Sequence, residues 1–498
     1  MYDLAWVGLI GIAAWGIGDV ILKCSGVSSA RGASALTVGL ALFSCLFLIL
    51  GGLGMMNPQL LRGSVLTLAV LSLVRLWPHL GALPQRLHRP KPLILAFSSL
   101  LGTRILLSIL AALDAPSMLD LSHYHLRAPI FWLEHGRVSW PFRDVIYHYP
   151  QGAEMLYALG LALGSSRVPQ LIHLLTALTT LWGVVSFARR RWGWDTALLA
   201  GLLYWSIPEV YYLTTIAFVD LAWSGAEVLA VLAFVDGLDI PDPRRRLRQW
   251  ALVGALVGWA AAIKYSALWS ILLLGIGIAW ASLTMTNESR ERSWRALRAG
   301  AVYVTFVLAL ASFWYGKNWL RFGNPVYPFL WGGRGLSPET AEMWTGLLRM
   351  FGPSRTLARF LRLPWDISMT QNIPAMRPSA FPYPIALIPA LIAYRRRGRA
   401  IIVFFVFSLA YLTAWYWTGT QQLRFVLAPM TLACILAAQG ASEILHRRQL
   451  LTIIVGILIF VALLLGIGLQ WQALSPHIMS KGYDMSEPGF PQGFYIFG

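Results

Sequence analysis

The sequence predicts an all-α fold: a polytopic transmembrane helical bundle of about fourteen spans, with two long outer-face loops that carry interfacial helices. Three observations predict it. Of the 498 residues, 57% are hydrophobic and only 12% are charged, against about 25% charged in a typical soluble domain, and the mean hydropathy is +0.61. Apolar runs approaching the ~20 residues that cross a bilayer as a helix recur along the whole length. The basic residues behind the net charge of +18 fall in short clusters between those runs.

Hydropathy places the spans near 5–22, 35–54, 65–82, 93–112, 167–188, 196–212, 217–236, 250–264, 266–284, 299–316, 382–394, 400–418, 423–442 and 450–471. If the segments 23–34, 83–92, 189–195, 237–249, 285–298, 395–399 and 443–449 face the cytoplasm, they hold 22 of the 40 Lys and Arg residues. The short loops on the other side, 55–64, 213–216 and 419–422, hold only Arg62. The positive-inside rule then puts both termini on the extracytoplasmic side. It also puts the long segments 113–166 and 317–381 outside. Residues 152–164 are apolar but too short to span, and counting them as a span would push Arg189, Arg190 and Arg191 outside. They are expected as a helix in the outer interface, as is 126–135, with Trp132 an interface anchor. Three regions follow: an N-terminal transmembrane extension over 1–92, a core over 93–442 with both long loops, and a last span with a short outer tail over 443–498.

The clustering of Arg189 to Arg191, Arg244 to Arg246, Arg395 to Arg397 and Arg447 with Arg448 is that of short cytoplasmic loops, so no nucleic-acid partner is expected. Cys24, Cys45 and Cys434 are scattered through apolar segments and make neither a disulfide framework nor a zinc site. The Met-Tyr-Asp-Leu start lacks a basic n-region, so no cleaved signal peptide is expected. No internal repeat or low-complexity tract stands out. The sequence has no GxxxxGK[ST], and the inner face has only short loops, so any chemistry is expected on the outer face.

Residues 114–160 concentrate that chemistry. They hold five of the 22 acids (Asp114, Asp120, Glu134, Asp144 and Glu154) and four of the nine His (His123, His125, His135 and His148). An acid at the boundary between water and an apolar bundle is placed to act as a base, because partial desolvation raises its pKa and a nearby cation lowers it. Asp120 and Tyr124 share a helix face, with His125 one position round. Asp120 is the candidate general base, or else a helix cap. The His123-x-His125 pair invites a metal reading or an interface role. A divalent ion therefore stays open, and no pattern requires one. Asp220, near the outer end of its span, reads as a second catalytic or metal-holding carboxylate, or as the ion partner of Lys264. Glu154 reads as a catalytic acid or a first-turn acid favoured by the helix dipole.

A family resemblance enters on a set of short motifs. Asp120-x-x-x-Tyr124-His125-Leu126 resembles the D-x-L-x-Y-H-L element of bacterial membrane glycosyltransferases of the GT-C superfamily, relatives of protein O-mannosyltransferases and aminoarabinose transferases. Tyr149 to Tyr157, reading YPQGAEMLY, is similar to a further element of those enzymes, and so are Phe218-Val219-Asp220-Leu221, Ile263-Lys264-Tyr265 and Gly323-Asn324-Pro325-Val326-Tyr327-Pro328. The motifs fall in the family's order across roughly 93–430. Leu121 and Ser122 depart from its more usual Ala-Leu, and three extra spans, over 1–92, stand before the one that leads into the first long loop.

The resemblance implies a sugar transferred from a polyprenyl-phosphate donor to a lipid or glycan acceptor of the cell envelope, at the outer face and among membrane lipids. It makes Asp120, Asp220 and Glu154 the catalytic candidates. A phosphate leaving group needs cations, and Lys264, Lys317, Arg321 and Arg424 lie near outer span ends. Tyr124, His125, Lys264, Tyr265, Asn318 and Arg424 are the substrate-binding candidates. Asn318 and Asn324 flank a Gly-Pro turn, where they orient sugar hydroxyls or build the turn. Trp319, Trp331, Trp344 and Trp365 stack on a sugar or anchor at the interface. The rival function is a non-enzymatic transporter or flippase of a lipid-linked saccharide, for which Arg75 and Arg104 inside spans speak.

Overall fold

A computed structural model of the chain describes residues 2–27, 31–80, 92–114, 125–141, 144–163, 165–284, 289–350, 354–369, 398–447, 467–468 and 470–471. These residues fold into helices α1 (Tyr2–Cys24), α2 (Arg31–Gly52), α3 (Pro58–Leu80), α4 (Pro92–Ala112), α5 (Arg127–Glu134), α6 (Gly152–Ala162), α7 (Val168–Trp192), α8 (Trp194–Trp205), α9 (Pro208–Leu213), α10 (Asp220–Leu238), α11 (Pro243–Ile263), α12 (Ala267–Thr284), α13 (Ser289–Phe322), α14 (Pro338–Met350), α15 (Leu357–Met369), α16 (Arg399–Thr418) and α17 (Leu427–Arg447). No strand occurs among the described residues, so the all-α expectation holds. Nine of the described helices are long and apolar enough to cross a membrane: α1, α2, α4, α7, α10, α12, α13, α16 and α17. The protein is an integral membrane protein. The expected spans 65–82 and 250–264 fall mostly within α3 and α11. Those at 382–394 and, but for four residues, 450–471 lie outside the described residues.

The ends of the helices follow from local chemistry. Pro169 stands in the first turn of α7, where its missing N–H costs nothing, and Gly193 ends that helix in the left-handed region at φ 89°. Asp242 caps α11 by accepting from the Arg244 amide, with Pro243 at the first position. Pro208 divides the expected single span 196–212 into α8 and α9, because the turn at Ser206 and Ile207 feeds a new helix that opens on proline.

α10 is the axis of the bundle. It is apolar and buried almost throughout, and α7, α11, α12 and α17 surround it. α11 packs on α13, and α8 packs on α4, α7 and α17. α1 and α2 lie backbone to backbone. A Cβ on Gly18 would sit 1.8 Å from the Ala35 carbonyl oxygen, and one on Gly39 would sit 1.8 Å from that of Ala14. α2 in turn packs on α6 and α7.

Two ends of the bundle differ in charge. At the basic end, Arg190 and Arg191 of α7 bond Asp236 of α10, Arg191 also bonds Asp239, and Arg399 of α16 lies 3.7 Å from Asp239. Three segments expected on one face thus meet in space. Trp194 at the start of α8, Trp280 near the end of α12 and Trp294 near the start of α13 are exposed, as are Trp319 near the end of α13 and Trp417 near the end of α16.

The short helices differ from their expectation. α6 does not lie on the surface; nearly every residue of it is buried, against α2, α5, α7 and α11. Its apolar character runs all round, with no polar face to turn to water, so it inserts. Trp132 is no interface anchor. It is fully buried, and its indole N–H donates to the Ser139 carbonyl at 2.9 Å, which folds the 135–139 turn back onto α5.

Candidate functional site

The candidate site lies at the end opposite the basic one, where α10 begins. Asp220, expected near the outer end of its span, is the first residue of that helix. The first N–H groups of a helix have no partner within it, and Val219 offers no side-chain cap. His173 of α7 supplies one from outside. Its Nδ1–H donates to the carbonyls of Leu213 and Ile216 at 2.9 and 2.8 Å, and its Nε2 accepts from the Leu221 amide at 2.9 Å. This fixes the tautomer and holds the 213–221 segment, and Asp220 with it, in place.

Asp220 is buried and receives Lys264 Nζ on Oδ1 at 2.7 Å, the ion pair foreseen as one of its alternatives. Lys264 is where α11 ends, in an extended conformation. Its ammonium also stands 3.9 Å over the Phe425 ring and 5.1 Å from that of Trp223. Arg424, from the 3-10 turn Leu423–Val426, lies over Phe218 at 5.1 Å and Phe425 at 5.4 Å, and donates to Gln422 Oε1 at 2.9 Å. Both cations are in the field of Asp220. Lys264 is in the field of Glu154 as well.

Glu154 is fully buried in the first turn of α6 and accepts from His125 Nδ1–H at 2.7 Å. Its other oxygen, Oε2, meets no hydrogen-bond donor among the described residues. The His125 ring is 5.5 Å from Phe218, and the Tyr157 hydroxyl donates to the Phe218 carbonyl. Phe218 therefore joins the two halves, and Asp220, Lys264, Arg424, Glu154 and His125 form one cluster. Two glycine and serine contacts seat it. Gly152 lets α6 approach the Ala262 carbonyl to a distance where a Cβ would sit at 2.8 Å, and Ser44 of α2 donates to the Gly152 carbonyl at 2.7 Å. Asp120 and Tyr124 lie outside the described residues.

Tyr265 and Asn318 form a brace beside this cluster. Asn318 Nδ2 donates to the Tyr265 hydroxyl at 2.7 Å and to the His148 carbonyl at 2.9 Å. Tyr149, Tyr265 and Phe329 pack ring against ring at 5.7 to 6.0 Å and so dock the second loop on the first. Burial holds the Tyr149 phenol well above its ordinary range, and the neighbouring Tyr265, Asp144 and Tyr327 add to the shift. Asn324 builds its turn: Nδ2 donates to the Phe329 and Gly332 carbonyls, and Oδ1 accepts from the Val326 amide. Among the described residues, no three His, Cys, Asp or Glu cluster as a metal site.

Sequence reasoning missed His173, Tyr157 and Glu227. The signal for His173 and Glu227 was present, since an ionisable residue inside a span is rare enough to be noticed. Glu227 is fully buried in α10 and accepts from Ser270 Oγ at 2.6 Å. Replacing His173 by Leu should lower the melting temperature in detergent, because it strips the partner from three buried backbone groups at ~1–3 kcal/mol each. A wild-type melt for that variant would contradict the capping role.

No protein-family model matches the sequence, and no curated protein matches it. Solved structures do. The crystal structure of ArnT from Cupriavidus metallidurans bound to undecaprenyl phosphate superposes with a TM-score of 0.51 at 15% identity, over 77% of this chain and 73% of that one. The apo form of the same protein gives 0.47 at 17% identity, over 70% and 59%. The archaeal oligosaccharyltransferase AglB from Archaeoglobus fulgidus, in complex with an inhibitory peptide and a dolichol-phosphate, gives 0.48 at 13% identity, over 78% and 56%. The chain therefore has the fold of the ArnT structure.

Proposed function

We propose that this chain is a glycosyltransferase that moves a sugar from a polyprenyl-phosphate donor to a lipid or cell-envelope acceptor at the extracytoplasmic face. The observation that carries the reading is the cluster where α10 begins: two cations, Lys264 and Arg424, gather beside Asp220, with the His125–Glu154 pair next to them. Two cations gathered beside a membrane boundary suit a lipid-linked phosphate. The ArnT structure of the same fold was solved with undecaprenyl phosphate, which supports the donor class.

In the proposed reaction an acceptor hydroxyl attacks the anomeric carbon, and the bond from that carbon to the phosphate oxygen breaks. The phosphate leaves with the electron pair, and Lys264 and Arg424 stabilise its growing charge. Asp120 takes the hydroxyl proton. Asp220 is committed to Lys264 and holds the cations in place, so it is a poor base; Glu154 and His125 line the same site as a hydrogen-bonded dyad.

The reading is tested by incubating the purified protein with a panel of radiolabelled polyprenyl-phosphate sugars and membrane extract. A labelled product in any lane is the expected result. Movement of label across vesicles with no product in any lane would favour the flippase instead. Orientation has its own check. In a background free of native cysteines, Cys at position 331 should react with an impermeant reagent on intact cells, and Cys at 245 only after permeabilisation; Trp331 and the Arg245 side chain are both exposed. The reverse pattern would place the site on the cytoplasmic face.

A further inference from the structure

The outer turn of α13 carries a second cationic site that the proposed reaction does not use. Lys317 Nζ stands 4.6 Å over the Trp140 ring and 5.4 Å from that of Trp314, and donates to the His148 carbonyl at 3.3 Å. No carboxylate pairs with it among the described residues. An ammonium has three N–H donors, and one carbonyl leaves two of them facing rings. One turn on, Arg321 donates to the Trp140 carbonyl at 2.9 Å. Below the same indole, Gln151 is fully buried. Its Oε1 accepts from Trp140 Nε1 at 2.8 Å, and its Nε2 has no acceptor among the described residues. Cationic and amide donors thus gather round one indole; Lys317 and Arg321 meet one backbone carbonyl each, and Gln151 Nε2 meets no acceptor among the described residues.

The setting says which anion fits. Phe313, Trp319 and Leu320 on the same stretch of α13 are exposed, the last at 85%. On a helix apolar enough to span a membrane, such residues face lipid. A cation beside hydrocarbon is costly unless paired, and the anions at that level of a bilayer are headgroup phosphates. The site is separate from the one at Lys264. Lys264 meets Asp220, Trp223 and Phe425, and none of these touches Lys317.

We propose that Lys317, Arg321 and Gln151 bind the phosphate of a second membrane lipid, beside the donor. This rests on the reading above, which puts the donor phosphate at Lys264 and Arg424. A transferase with two such sites would bring two phosphorylated lipids together, so its acceptor belongs to that class.

Native mass spectrometry of the full-length protein, with dioleoyl phosphatidic acid as the probe, tests it. Wild type should hold two lipids, and Lys317→Met/Arg321→Gln should hold one. Lys317→Arg should keep both, which separates lost charge from lost ring packing. Inorganic phosphate in large excess should displace neither lipid. Two lipids retained by the double variant, or only one on wild type, would overturn the second site, and ready displacement by inorganic phosphate would overturn its lipid character. Arg424→Gln should also lose one lipid. If it keeps two while Lys317→Met/Arg321→Gln loses one, the donor placement fails and the Lys317 site stands.

Discussion

Lys264→Met should destabilise the protein by about 3–5 kcal/mol, the usual cost of breaking a buried ion pair from one side. The 2.7 Å contact to Asp220 and the burial of that carboxylate set the expectation. The loss comes from an Asp220 charge left without its counter-ion. Asp220→Asn in the same chain should therefore restore most of the stability, and a double-mutant cycle on thermal or denaturant melts measures the coupling. Additive losses would mean that the pair contributes nothing to holding α10 against the turn after α11.

Asp120→Asn should cut turnover by ~10²–10⁴-fold, the scale of general base catalysis, with the fold and donor affinity kept. Initial rates of sugar transfer, run beside a melt and a binding isotherm, check this. Near-normal turnover in a folded Asp120→Asn protein would leave that residue the helix-cap role and move the base elsewhere. Glu154 is then the next residue to test, since its Oε2 meets no donor among the described residues.

The bundle was legible in the sequence because crossing a bilayer constrains composition so strongly. Length, apolarity and the placement of Arg clusters leave little freedom, and Arg190, Arg191 and Arg399 do meet Asp236 and Asp239 at one end. The short helices were read less well. Hydropathy cannot tell a helix on an interface from one inserted among others, so the burial of α6 and Trp132 was missed. The Asp220 to Lys264 pair was reachable, because two opposite charges at neighbouring span ends have few other partners. The His125 to Glu154 pair was not, because nothing in a 29-residue separation says that an acidic first turn faces inward. His173 was noticeable as a histidine inside a span, but its task was not legible, because its partners are backbone groups, which leave no trace in residue identity.

The central claim is that the cations beside Asp220 receive the carrier phosphate, and Arg424 isolates it. Its side chain bonds Gln422 and lies over rings, with no carboxylate in direct contact among the described residues, so its loss should not carry the ion-pair penalty that complicates Lys264. The measurement is the affinity of purified Arg424→Gln for undecaprenyl phosphate, with a melt to establish the fold. A charge-assisted hydrogen bond contributes roughly 1.5–3 kcal/mol, so the account predicts binding weakened on the order of 10- to 100-fold at unchanged stability. Wild-type affinity in a folded Arg424→Gln protein would contradict it.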